Sequence, residues 1–378
     1  MVSAASLHHI RLFYAAYFAA MGLILPYFPV YLSDRGLDVS AIGVMTGLLA
    51  AAKVIAPPWT GHVLDRRSHE QSRHFIVLAS LVAAGFAVCM AAVDSPYLLA
   101  AVIFTFGVLW AAILPLTDGL SVSVSEAALA DYGRLRVWGS VGFVVASLAG
   151  GAWLAGDTVR QLPWWLAGLL LLTALAAYGF PEHREEELRP DGAGSGFGAP
   201  FFALLAASFI MQVSHGAYYG FYSLYLVGLG FSGWQIGAFW VLGVLAEIVL
   251  MWKWARPLQQ ASPARVLGGC LLLAAMRWFG IGWFASWLPL LLLQLLHAAS
   301  FAAFHLSAVA WVKRLAPPGR HAAAQGWYSA SGFGLGSTVG IMGCGVIAEY
   351  SGYAAAFYVC AGVALLGMLL VRRLPTGS

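Results

Sequence analysis

The sequence predicts an all-α integral membrane protein with twelve transmembrane helices in two six-helix bundles. Three observations predict it. Of 378 residues, 61% are hydrophobic and only 10% are charged, against about 25% charged in ordinary soluble domains. Twelve apolar runs approach or exceed the ~20 residues a helix needs to cross the hydrocarbon layer. A single long polar segment, PEHREEELRPDGAGSGFGA at 181–199, separates six runs from six. It mixes charges with Gly, Pro and Ser, the composition of a flexible connector. The expected division is an N-terminal bundle over 1–180, a cytoplasmic linker over 181–199 and a C-terminal bundle over 200–378.

The first six runs lie near 12–32, 40–61, 75–93, 96–117, 137–156 and 163–180. The second six lie near 201–227, 233–252, 266–284, 288–312, 322–348 and 353–371. The first run carries Pro26 and Pro29 and shows no small-residue cleavage site, so it reads as a membrane helix and not a cleaved signal. None of the runs has the two-residue alternation of barrel strands. With the N-terminus inside, 15 of the 20 basic residues fall in the N-terminal, even-loop or C-terminal segments. The bias of Lys and Arg toward the cytoplasm then places both termini there, in a multi-pass protein of the cytoplasmic (inner) membrane. The formal charge of +4 is scattered among hydrophobic runs, which is no nucleic-acid signal. The four cysteines sit in apolar runs and read as packed free thiols. The expected partners are a small-molecule solute and the lipid bilayer, with the chain a monomer.

An internal repeat runs through both halves. Shifting by 194 superposes Tyr31-Leu32 on Tyr225-Leu226, Gly36 on Gly230, Ile42-Gly43 on Ile236-Gly237, Leu48 on Leu242 and Ala52 on Ala246, seven identities in 23 positions. Duplicated halves of this kind build a midplane site with alternating access in transporter folds. The same shift lays Lys53 on Glu247, opposite charges on equivalent helices.

Five charges fall within or at the edge of apolar runs: Lys53, Asp118, Arg136, Glu247 and Arg277. At roughly 2.5–3.5 kcal/mol each on insertion scales, they would together cost roughly 12–17 kcal/mol unless paired or wetted by a cavity. Asp118, in LPLTDGL, precedes Arg136, in DYGRLRVWGSVGF, by eighteen residues across a short loop. That spacing admits two readings: an ion pair locking the helix hairpin, or a ligand pair whose guanidinium fork grips a carboxylate or hydroxyls. Glu247, in GVLAEIVLM, and Arg277, in AAMRWFGIG, are mid-run, and His297 follows in QLLHAASFAAFHL. A carboxylate, a guanidinium and an imidazole converging in a low-dielectric cavity can bind and release a proton; the bland alternative is a buried structural triad. His215 and His305 add polar company, but no metal-ligand spacing accompanies them. Trp138, Tyr218 and Tyr219 lie close in sequence to these groups and are candidate cavity-lining residues. Gly332, Gly336 and Gly340 are spaced for close helix packing. In the loop between the second and third runs, GHVLDRR places Gly61, Asp65 and Arg66 as candidate gate residues.

That loop resembles the signature of the major facilitator superfamily, and the six-plus-six plan covers the whole chain. A narrower resemblance is to the lactose permease-like proton symporters, in which an acid lies eighteen residues before the second arginine of a Gly-Arg-x-Arg-x-x-Gly run. Here those positions are Asp118, Gly133, Arg134, Arg136 and Gly139. The resemblance implies substrate contact at Asp118 and Arg136 and proton coupling through Glu247, Arg277 and His297. It departs in three places: the family's proton-carrying glutamate is Ser300 here, its lysine partner is Gln294, and its helix-seven aspartate is absent, with only aromatic and small residues around Tyr218 and Tyr219. LPLTDGL, DYGRLRVWGSVGFV, SHGAYYGF, GVLAEI and LLHAASFAAFHL look most like the phenylpropionic acid permease-like branch, which implies uptake of an aromatic carboxylic acid.

The expected function is therefore proton-coupled uptake of a small aromatic acid, driven by the proton gradient with no cofactor and no metal. Glu247 is the candidate proton carrier. Lys53, Asp118, Arg136, Trp138, Tyr218, Tyr219, Glu247 and His297 are the candidate substrate contacts. Lys53, Arg136 and Arg277 against Asp118 and Glu247 leave a surplus of +1, which a monocarboxylate neutralises and a sugar does not. A sugar or nucleoside symporter and a drug exporter are the alternatives within the fold. An intramembrane enzyme or sensor is a different class, and the sequence has no nucleophile–base constellation or appended soluble domain to support it.

Overall fold

The computed structural model describes residues 4–64, 69–127, 131–154, 156–181, 196–318, 320–372 and 374. Twelve helices are long and apolar enough to cross a membrane, with mean hydropathies of 1.3 to 2.5. In the N-terminal half these are α1 (Ser6–Asp34), α2 (Val39–Pro57), α3 (Glu70–Ala92), α4 (Pro96–Ser125), α5 (Tyr132–Trp153) and α6 (Thr158–Tyr178). In the C-terminal half they are α7 (Ala199–Gly228), α8 (Gly233–Gln260), α9 (Pro263–Trp283), α10 (Trp287–Leu315), α11 (Ala323–Ser351) and α12 (Tyr353–Val371). Among the described residues there is no strand. Lipid offers no partner for backbone N–H and C=O groups, so a spanning segment must satisfy them internally as helix.

Two boundaries differ from the hydropathy reading in ways that matter for function. The helix of α4 runs beyond 117 to Ala127, and that of α5 begins at Tyr132. In α4 the Thr117 and Ser125 hydroxyls bond back to the Ile113 and Val122 carbonyls, which satisfies these polar side chains within the helix. In α5 Asp131 caps the helix by accepting from the Gly133 N–H at 2.8 Å. Asp118 and Arg136 therefore both lie inside helices.

α1 packs against α5 and α6, α2 against α4, and α3 against α4 and α6. The second half repeats the plan, with α12 against α7 and α9 and α8 against α10. The repeat is visible atom by atom where α1 and α7 end. Gly36 and Gly230 both adopt left-handed conformations, φ 81° and 83°. In each turn the glycine N–H bonds three residues back, Gly36 to Ser33 and Gly230 to Val227, and the next N–H five residues back, Leu37 to Leu32 and Phe231 to Leu226. This is one Schellman turn built twice.

The halves meet along α1/α7, α2/α11 and α5/α8. Gly43 and Gly345 bring α2 and α11 into backbone contact, and Gly237 and Gly151, at positions equivalent under the repeat, do the same for α8 and α5. Both contacts lie toward the end where α1 gives way to α2, and Tyr27 supports the second by bonding the Ser147 carbonyl at 2.5 Å. That end of the molecule is sealed. Gly336 and Gly340 pack directly on Phe209 and Val213 of α7, as their spacing predicted.

Three local irregularities were not foreseen. α7 breaks at His215, between helices ending at Ser214 and starting at Gly216. α10 and α11 each contain a π-helical stretch, Ala298–Ala303 and Ala330–Gly336. Such stretches absorb one extra residue and recur at functional sites. Three cysteines are buried as expected, but Cys89 is exposed. Residues 182–195 of the expected linker lie outside the described residues.

Candidate functional site

In the N-terminal half, Asp118 of α4 is held by two phenols. Its Oδ1 accepts from the Tyr14 hydroxyl at 2.7 Å and from the Tyr132 hydroxyl at 3.0 Å. The Arg136 guanidinium lies over the Phe18 ring at 3.9 Å and the Tyr14 ring at 5.3 Å. No ion pair joins Asp118 to Arg136 among the described residues, so the reading of a structural ion pair that locks the hairpin is not realised. Tyr14 joins the two instead, its hydroxyl on the acid and its ring under the base. Gly139 leaves room for this posture, since a Cβ there would meet Arg136 Nη1 and Phe18 Cδ2 at 2.8 Å.

Lys53 lies on α2. Val44 and Ile55 of α2 are exposed, and Thr46 is buried. At 100° per residue, Lys53 and Thr46 share the side opposite Val44 and Ile55, which turns both toward the protein interior. No hydrogen bond or ion pair to Lys53 is made among the described residues.

The C-terminal half is organised around Arg277, whose relative exposure is 0%. Its Nη1 lies 2.7 Å from His297 Nδ1 and donates to Ser300 Oγ at 3.2 Å, and its Nη2 donates to Gln294 Oε1 at 2.9 Å. Tyr218 also donates to Gln294 Oε1, and the Gln294 amide donates to Tyr222 at 2.7 Å. The guanidinium lies against the neighbouring Tyr218 and Trp278 rings, 4.2 and 4.6 Å from their centres. On the far side of the imidazole, His297 Nε2 is 2.7 Å from Glu247 Oε1.

Donor counting fixes the tautomer. A guanidinium only donates, so His297 Nδ1 must carry the lone pair and Nε2 the hydrogen given to Glu247. A protonated His297 would set two donors face to face at Arg277. With Glu247 ionised, the triad is a carboxylate and a guanidinium bridged by a neutral imidazole, with no net charge. His215, at the break in α7, directs Nδ1 to the Met211 carbonyl at 2.8 Å and stacks on Tyr219 with centroids 5.5 Å apart.

The structure therefore brings Glu247, His297, Arg277 and Tyr218 into one network with Tyr219 at its edge, and groups Asp118 with Arg136 elsewhere. Trp138 is a correction. It is 44% exposed and lines a groove with Leu12 and Ala15 of α1 on the outer face of the bundle. Arg136 and Trp138 are two residues apart, about 200° around the helix, so one facing inward turns the other outward. Asp65 and Arg66 lie outside the described residues, and of Gly61 only the helical backbone is described. Sequence reasoning left Tyr14, Tyr132 and Tyr222 unassigned, registered Ser300 only as a departure from a family pattern, and noted Gln294 as such a departure and as a polar residue within a span. Tyr132 was findable, because it stands four residues before Arg136 on the same helical face.

Residues 7–359 match the MFS_1 like family. The chain belongs to that family, within the major facilitator superfamily. This MFS chain is 29% identical over 376 residues to a probable 3-phenylpropionic acid transporter of Escherichia coli, covering 94% of this chain and 95% of that protein. It is also 29% identical over 375 residues to the maltose permease of Geobacillus stearothermophilus, covering 96% and 93%. Among solved structures, the nucleoside transporter NupG aligns with a TM-score of 0.80 at 16% identity, over 97% of this chain and 98% of that one. The human organic anion transporter MFSD10 aligns at 0.69 and 18% identity, over 97% and 99%. These structural likenesses concern the fold of this multi-pass MFS transporter.

Proposed function

We propose that this transporter takes up a small aromatic monocarboxylic acid together with one proton, by alternating access across the cytoplasmic membrane with both termini inside. The observation that carries the reading is the imbalance between the halves. Glu247 and Arg277 cancel across His297, whereas Lys53 is a third cation turned inward without a carboxylate of its own. A cation in a low-dielectric interior is stabilised by an anion and not by a neutral sugar. Arg136, flat on Phe18, keeps its fork of donors available for a second contact to the same carboxylate. The partly exposed Tyr219 and Phe18 rings offer surface for an aromatic ring to pack on. The likeness to the Escherichia coli phenylpropionic acid transporter supports the same class of solute.

Glu247 is the proton carrier in this reading. It is 9% exposed and has a single hydrogen-bond partner among the described residues. Its carboxylate can take a proton without disturbing the imidazole hydrogen it accepts. Gln294 and Ser300 act as neutral partners of Arg277, leaving Glu247 as the carboxylate of this network. With the termini inside, the sealed end is the external one.

The test compares 3-phenylpropionate with 3-phenylpropanamide for binding to the purified transporter in nanodiscs. The acid should bind at least tenfold more tightly. Equal affinity for acid and amide, or tight binding of maltose or a nucleoside, overturns the reading.

A further inference from the structure

We propose that Glu349 of α11 is a gate latch that holds the sealed end shut by capping a helix of the opposite half. Its Oε2 accepts from the Val39 N–H at 2.8 Å and from the Ser40 N–H at 3.2 Å. These belong to the first turn of α2, whose N–H groups have no partner within the helix. The next one, from Ala41, goes to Asp38 Oδ1 at 2.7 Å. The α2 terminus is thus capped jointly by an acid of its own half and an acid of the other. A helix N-terminus attracts negative charge, so the cross-half contact is electrostatic as well as hydrogen-bonded.

The latch sits directly above the Gly43–Gly345 contact, where a Cβ on either glycine would be 3.0 Å from the Cα of the other. Motion that parts α2 from α11 here must first remove Glu349 from Val39 and Ser40, because no slack separates the backbones. The seam equivalent under the repeat is built differently. At α5/α8 the helix N-terminus is capped from within its own half, by the capping box of Ser232 and Gln235. Among the described side chains, no carboxylate crosses that seam. The two-fold plan of the fold supplies both glycine contacts, and only α2/α11 adds a charge to them. Glu349 therefore acts on the equilibrium between states open at one end and at the other, while Asp38 caps α2 in both.

This inference rests on alternating access, but it is read without any solute, so failure of the solute assignment leaves it standing. In a variant with the four native cysteines replaced, spin labels at Ser95Cys and Ser286Cys report the separation of the halves, since Ser95 and Ser286 are exposed at the sealed end of the N- and C-terminal halves. Glu349→Ala should raise the long-distance population about three- to fivefold, as expected for loss of an exposed charge at a helix N-terminus. Glu349→Gln keeps an acceptor oxygen and should fall between that variant and the parent. Asp38→Ala removes the acceptor of the Ala41 N–H and should lower thermal stability while leaving the distances unchanged. Coincident distributions for Glu349→Ala and the parent overturn the latch. So does an equal shift from Asp38→Ala, which would mean that fraying of α2, and not release of a cross-half bond, opens the end.

Discussion

Arg277 and Arg136 are both guanidiniums on membrane helices, but their surroundings are opposite in kind. Arg277 is wholly enclosed, bonded to His297, Gln294 and Ser300 and packed against two neighbouring aromatic rings. Arg136 rests on Phe18 and Tyr14 and makes no hydrogen bond among the described residues. The acids divide in the same way, Glu247 tied to the arginine through an imidazole and Asp118 tied to tyrosines. The C-terminal half is electrically closed on itself. The N-terminal half keeps donors and a positive charge in hand. Under the proposed function this separation is an advantage, because a solute bound at Lys53 and Arg136 would leave Glu247 unobstructed.

The contrast breaks most severely in the closed half. Arg277→Met leaves Glu247 bonded to His297 but without the guanidinium that balances its charge, and removing one partner of a buried pair costs about 3–5 kcal/mol. Thermal unfolding in detergent should show a large loss or no folded protein; a stability near that of the parent would mean that Glu247 is not held by Arg277. Glu247→Gln preserves an acceptor for the His297 hydrogen and should fold. Uptake driven by a pH gradient should fall to background in vesicles, and undiminished uptake would remove Glu247 from coupling. In the parent, one proton with one monoanion carries no net charge, so a membrane potential alone should drive no accumulation.

The open half should respond in affinity and not in stability. Lys53→Met and Arg136→Lys should each weaken acid binding about ten- to a hundredfold, the scale of a lost charge-assisted hydrogen bond of ~1.5–3 kcal/mol, with the unfolding temperature unchanged. Lysine cannot reproduce either the stacked plane or the fork of Arg136. Parent-like affinity in both would return the excess charge to a structural role. Tyr132→Phe removes one of the two phenols on Asp118 and should cost about 1 kcal/mol in stability. Trp138→Ala, on the outer face, should leave binding untouched, and a loss there would place the solute somewhere other than between the halves.

Much of this was legible beforehand because membrane insertion writes its demands into long stretches of sequence. The twelve runs, the break between them and the repeated Gly36 and Gly230 turns all follow from hydropathy and spacing. The convergence of Glu247, Arg277 and His297 follows from the cost of burying charge. What hydropathy misses is the polar end of a helix. The helix of α4 continues through its polar tail to Ala127, and Asp131 starts α5 early with a cap. Those two extensions bring Tyr132 to Asp118. The Tyr14 contact escaped for another reason: it joins residues 104 apart in the chain, and no local pattern encodes that. Trp138 was misplaced by proximity in sequence to Arg136, although the helical period opposes the two.

The π-helical turn of α10 bears on all of this through register. His297, Phe301 and His305 form one stack of nearly parallel rings, with centroids 5.5 and 6.1 Å apart and interplanar angles of 14° and 6°. Eight residues of regular α-helix would leave about 80° between the first ring and the last. The surplus residue in the turn over Ala298–Ala303 takes up that angle and draws the column straight. His297 thereby holds Glu247 with one edge while its face continues a stack that ends beside Tyr328, which lies 3.0 Å from His305 Nδ1. Tightening the turn to ordinary α-helix would twist the two ends of α10 against each other, and His297 could keep its acid or its place in the column, but not both.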